Sequence, residues 1–92
     1  MHLEIVSPEA TLFSGEVESV IVPGTSGSFQ MLNNHAPIVS SLKDGTVIIS
    51  GKIQLDDTVQ NKFNRKDDNT TLFEISSGTI EMRNNKLILL AD

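Results

Sequence analysis

The sequence predicts an all-β domain, a sandwich or a barrel, and three observations carry that prediction. Val, Ile and Thr recur in runs of strand length separated by Gly, Pro, Asn and Asp, the pattern of short strands joined by tight turns. No segment repeats apolar residues at helical spacing over three turns. The turn signals fall about every 8–12 residues, the spacing of sandwiches and barrels. A chain of 92 residues fits one domain with one modest core. Its only aromatic residues are four Phe, so that core is expected to be built mainly from Val, Ile and Leu.

The elements follow in order. His2–Ser7 is a first strand with Leu3 and Ile5 on one face and His2 and Glu4 on the other; Pro8 lacks an N–H and ends it. Thr11–Gly15 reads as a short connection. Val17–Val22 is a strand whose consecutive Val20, Ile21 and Val22 suggest cover on both faces. Pro23-Gly24 and Gly27 mark turns around the short strand Ser28–Leu32, which Asn33-Asn34 closes. Ile38–Leu42 is extended after Pro37, and Lys43-Asp44-Gly45 turns into the β-branched strand Thr46–Ser50. Lys52–Leu55 alternates and is expected to form a hairpin with it. Asp56–Asn69, rich in Asp and Asn, reads as a solvated excursion with a short edge strand. Thr71–Ile75 and Thr79–Met82 are strands about a bend at Gly78. Asn84-Asn85 suits a two-residue hairpin turn into the last strand, Lys86–Leu90.

Composition excludes several classes of function. The absence of cysteine rules out disulfides, thiolate zinc sites and a Cys nucleophile. Twelve acidic residues against seven basic ones give a net charge of −5, which argues against nucleic acid and against direct binding of anionic lipid. The longest apolar run, Leu87–Ala91, is strand-sized and too short to span a bilayer. Met1–Ala10 has neither the basic start nor the apolar segment of a secretion signal. The expectation is a cytosolic protein that reaches a membrane only through a protein partner.

No motif for chemistry survives inspection. Asp56, Asp57, Asp67 and Asp68 do not have the spacing of a calcium loop. His2 and His35 are far apart and no cysteine accompanies them, so a zinc site is not expected. There is no Gly-x-Ser-x-Gly elbow, and Gly24-x-x-Gly27 lacks the third Gly and the helix of a dinucleotide site. The expectation is no catalytic residue, no metal and no cofactor. Patterning gives a fold class and stops there.

Function enters through a resemblance. The opening Leu3-Glu4-Ile5-Val6-Ser7-Pro8-Glu9 is followed at matching spacing by Phe13-Ser14-Gly15-Glu16-Val17, Val20-Ile21-Val22-Pro23-Gly24, Gly27 and Asn34-His35-Ala36-Pro37. Lys43-Asp44-Gly45, Phe73-Glu74-Ile75-Ser76-Ser77-Gly78 and Leu89-Leu90-Ala91-Asp92 complete the series. In this order and spacing they resemble the N-terminal domain of the epsilon subunit of F-type rotary ATP synthases. The resemblance covers most of residues 3–50 and 72–92. It implies an all-β fold, a small antiparallel β-sandwich of about ten short strands in two stacked sheets. It takes residues 1–92 as a single domain. The two-helix domain with which longer relatives continue is absent after Asp92, and a naturally short form is expected.

The same resemblance implies a non-catalytic rotor subunit of the central stalk. Such a subunit clamps the gamma subunit to the ring of c subunits, and so couples ion translocation to ATP synthesis. It would sit, as a peripheral part of the complex, at the cytoplasmic face of the inner membrane. By position, Ser28, Phe29, Gln30 and Met31 are candidates for contact with the c-subunit ring, and His35 and Pro37 for the gamma-facing or ring-facing edge. Ser28 stands where relatives are often acidic, and Gln30-Met31 where many carry Gly and an aliphatic residue. Phe29 and Met31 share one strand face, so they are either docking anchors or core. His35 is either an interface donor or a loop histidine bonded to nearby backbone. The alternative function is a standalone β-sandwich that binds a small ligand, although the Trp and Tyr that usually stack on sugars are missing.

Overall fold

The computed structural model describes all 92 residues as ten strands and one 3-10 turn. The strands are β1 (His2–Val6), β2 (Thr11–Glu16), β3 (Ser19–Gly24), β4 (Gly27–Leu32), β5 (Ile38–Leu42), β6 (Gly45–Ser50), β7 (Asn64–Asp67), β8 (Thr70–Ile75), β9 (Gly78–Arg83) and β10 (Lys86–Ala91). The 3-10 turn is Gln60–Lys62. The strand order is β2-β1-β10-β9-β5-β3-β6-β8-β7, with β4 paired to the other side of β3. Neighbours pair antiparallel except β1 and β10, which run parallel from His2 opposite Lys86 to Val6 opposite Leu90. β5 and β3 meet only at Leu42 opposite Gly24. That narrow junction is where the sheet folds over on itself, so that its two halves face each other across one core.

The core holds 22 apolar side chains, among them Leu3, Ile5, Val20, Val22, Val47, Ile49, Ile80, Leu87 and Leu89 with no accessible surface. Most come from strand positions two apart, because alternate side chains share one face of a strand. Phe63 and Phe73 stack with ring centroids 4.8 Å apart at one end of it.

Two expectations about elements are corrected. Thr11–Gly15 is part of strand β2, paired to β1 along its length. Its alternation is broken because Leu12 and Phe13 are both buried, next to a register shift between Ile5 and Val6. Lys52–Leu55 forms no strand, despite its alternating pattern. The reason is topological: β6 already pairs with β3 on one edge and β8 on the other, so no edge is left for it. The residues instead run as irregular backbone, with Ile53 buried and its carbonyl accepting a bond from Arg65 Nη2 at 2.6 Å. The edge strand expected within Asp56–Asn69 is β7, fully exposed and charged, as an unpaired edge needs to be to resist unwanted pairing.

Candidate partner-binding surfaces

The hairpin of β3 and β4 turns through Thr25 and Ser26 between the paired Gly24 and Gly27. Gly27 has φ 129, a conformation side chains resist. A Cβ on Gly24 would stand 2.7 Å from both the Gly27 carbonyl oxygen and the Phe29 ring. Only glycine lets the two strands and that ring approach so closely. The register sets Val22 opposite Phe29 and Val20 opposite Met31. Met31 is fully buried, so for it the core alternative applies and it has no surface to offer a partner. Phe29 is half-buried, its ring over Gly24 and against the core. Ser28 and Gln30 are exposed on the hairpin, together with Leu32. The free edge of β4 carries no charged residue.

Residues 33–37 return from β4 to β5. Asn34 takes φ 61, and its N–H donates to Asn85 Oδ1 at 2.7 Å, which ties the segment to the turn between β9 and β10. Asn33 Oδ1 accepts from the Met1 ammonium at 2.7 Å. The His35 N–H donates to the Leu32 carbonyl at 3.1 Å. His35 Nδ1 lies 2.7 Å from the Ala36 carbonyl oxygen. A carbonyl only accepts, so Nδ1–H is the donor of this bond. His35 is half-buried and Pro37 exposed.

A surface that the sequence reading did not single out lies on the outer face of β5, β9 and β10. Val39 is 70% exposed and Leu90 51% exposed. With half-buried Ile88 they edge one shallow apolar groove along Thr79 and Glu81. A signal for it was present: Ile38-Val39 and Leu89-Leu90 are adjacent apolar pairs within strands. Neighbours on a strand face opposite ways, so one of each pair had to face outward. The other surface grooves are open and lined mostly by polar side chains, such as Glu16, Glu18, Lys52 and Asn69.

Charge is dispersed over the surface. Glu16 forms an ion pair with the Met1 ammonium at 3.4 Å, and its other carboxylate oxygen lies 3.3 Å from His2 Nδ1. Asp56 caps its own turn: its Oδ1 accepts from the Thr58 hydroxyl at 2.6 Å and from the Thr58 N–H at 2.9 Å. Those two bonds, the hydroxyl first, hold its carboxyl below the usual carboxylate range. No three His, Cys, Asp or Glu side chains are grouped to hold a metal ion. No helix is long and apolar enough to cross a membrane.

Fold and surface together define a small β-sandwich domain with an apolar groove on one outer face and an exposed β3–β4 hairpin. Residues 1–92 match the family described as ATP synthase, Delta/Epsilon chain, beta-sandwich domain. The chain is 40% identical over 90 residues to an ATP synthase epsilon chain of Chlorobaculum tepidum, covering 98% of this chain and 86% of that one. It is 37% identical over 92 residues to an epsilon chain of Campylobacter curvus, of which it spans 60%. A chain in the cryo-EM structure of the Tetrahymena thermophila mitochondrial ATP synthase central stalk and c ring superposes with a TM-score of 0.68 at 14% identity, over 99% of this chain and 62% of that one. The chain therefore belongs to the ATP synthase delta/epsilon family, through its β-sandwich domain. It is a non-catalytic subunit by that membership.

Proposed function

We propose that this protein is a central-stalk subunit that joins the gamma subunit to the c-subunit ring of a rotary ATP synthase, so that ion-driven rotation of the ring reaches the catalytic head. Its place is then the cytoplasmic face of the inner membrane, held there through the complex. A coupling piece needs two separated contact surfaces on a stiff body. The observation that carries the reading is the apolar strip of exposed Val39 and Leu90 with half-buried Ile88, on an acidic protein whose other exposed large apolar side chain is Leu32 of the hairpin. Isolated in water such a strip is unfavourable; covered by another subunit it contributes to affinity. We assign it, with His35 and Pro37 at the neighbouring end of β5, to gamma. The exposed residues of the β3–β4 hairpin, Ser28 and Gln30 with the rim of Phe29, are assigned to the ring. Close packing of the core supplies the stiffness between the two.

The test uses the gamma subunit of the same organism and size-exclusion chromatography with light scattering. The expected result is a one-to-one complex that Val39→Asp abolishes and His35→Ala weakens. A complex indifferent to both would move the gamma contact elsewhere. Absence of any complex with the unaltered protein would defeat the coupling role. The chain has no cysteine, so S28C or Q30C in the assembled enzyme gives a single crosslinking site. Products with the c subunit are expected there, and products with gamma alone would reverse the assignment.

A further inference from the structure

The outer face described above carries an ordered pattern of charge as well as apolar surface. Strand register aligns Val39, Glu81, Ile88 and Glu4 in one row across β5, β9, β10 and β1. On one side the next row is Ser41, Thr79, Leu90 and Val6. On the other side it is Arg83, Lys86 and His2. Successive rows stand about 7 Å apart, two residues along a strand. Along the strands the face thus runs from the cations Arg83 and Lys86, through carboxylates set between apolar side chains, to an uncharged row in which Leu90 and Val6 are apolar. Glu4, Glu81, Arg83 and Lys86 have no ion-pair partner in the fold, whose ion pair is that of Glu16 with the Met1 ammonium. Nor do their side chains make any hydrogen bond within the protein. Glu81 is exposed at the centre of the pattern, between the Val39–Leu90 groove and a second groove lined by Arg83 and Lys86.

We propose that this face recognises one orientation of its protein partner by charge order. The matching surface has an apolar ridge seated on Val39, Ile88 and Leu90, a lysine or arginine meeting Glu81 and Glu4, and an acidic group one row further on meeting Arg83 and Lys86. The proposal rests on the assignment of this face to gamma and adds the chemistry gamma must present. Apolar burial supplies the affinity. The charges decide which way round the two surfaces meet, because rotating the partner by half a turn about Glu81 sets its acidic group against the uncharged Leu90 row and leaves Arg83 and Lys86 facing an apolar ridge with no counter-charge.

The experiment measures binding of the same organism's gamma subunit to the unaltered protein, to Glu81→Lys, to Arg83→Glu, to the double swap Glu81→Lys/Arg83→Glu, and to Val39→Asp. Thermal melts confirm that each variant is folded, which exposed positions should allow. Each single charge reversal is expected to weaken the complex about tenfold or more. Raising salt from ~0.05 to ~0.5 M should narrow the difference. The double swap preserves net charge but reverses the order, and it is expected to stay weak. Recovery of full affinity in the double swap would show that only net charge counts and would overturn the proposal. Full affinity in both single reversals, with loss in Val39→Asp, would overturn it while leaving gamma as the occupant. No binding by the unaltered protein would sink both the proposal and the assignment beneath it.

Discussion

Thr71 is fully buried on β8, and its hydroxyl oxygen has no hydrogen-bond partner. A stranded buried hydroxyl is a cost that an isosteric methyl removes. Thr71→Val is therefore expected to stabilise the domain by about 1 kcal/mol, read as a higher urea midpoint at unchanged slope. Nothing in the sequence marks Thr71 apart from the other β-branched residues of the strands; only the register of β8 against β6 turns it inward. Phe29 and Met31 show the same limit. That they share a face was legible from their spacing, but that the face is the inner one depends on the hairpin's pairing with Val20 and Val22. Asp56 makes a prediction about pH. Its carboxyl is held below the usual range by Thr58, so its contribution to stability is present above the ordinary carboxylate pKa, roughly 4. That contribution is lost as pH falls through the depressed value. The stability difference between the protein and Asp56→Ala should accordingly be present at neutral pH and vanish in strong acid.

At the scale of the element, the turn between β9 and β10 does two jobs. Asn84 and Asn85 take φ 53 and 59, the left-handed pair that a two-residue hairpin of this hand requires and that Asn tolerates. The Asn85 side chain also holds the Asn34 N–H. Asn84→Ala should cost about 1 kcal/mol through backbone strain alone. Asn85→Gly should keep the turn yet release residues 33–37, seen as faster amide exchange at Asn34 with little change in global stability. The first job was readable from the Asn-Asn pair. The second, a contact between distant segments, was not. Strand existence was legible wherever β-branched residues met turn residues, as in β6, β8 and β10. It failed at Lys52–Leu55, where the local pattern is that of a strand and no partner edge exists. It failed in the opposite sense at β2, whose consecutive buried Leu12 and Phe13 hide the alternation. The candidate contact residues of the hairpin and of 35–37 came through family resemblance. The Val39–Leu90 face was open to the pattern alone, since on a strand without a bulge adjacent apolar side chains point to opposite faces of the sheet.

For the whole molecule, the pairing of β1 with β10 joins the first strand to the last, and β5 pairs with β9 and β6 with β8 across intervening segments of the chain. Such non-local pairing must close long loops before it gains contacts. Refolding after dilution from denaturant is expected in roughly the millisecond-to-second range, slower than a helical bundle of this size, by stopped-flow fluorescence of an introduced Trp. Sub-millisecond refolding would contradict a transition state that needs the terminal strands to meet.

The parallel register of β1 and β10 also fixes how the domain bears a load. The chain enters at one end of that pair and leaves at the other, so tension between residues 1 and 92 pulls the two strands lengthwise past each other. Their hydrogen bonds, from His2–Lys86 to Val6–Leu90, are then strained together rather than opened one after another. Tension across the β9–β10 hairpin would unzip pairs singly. A single-molecule pulling experiment should find a higher rupture force through the chain ends than through that hairpin. The domain is thus built to resist stretching best along its own terminal strands.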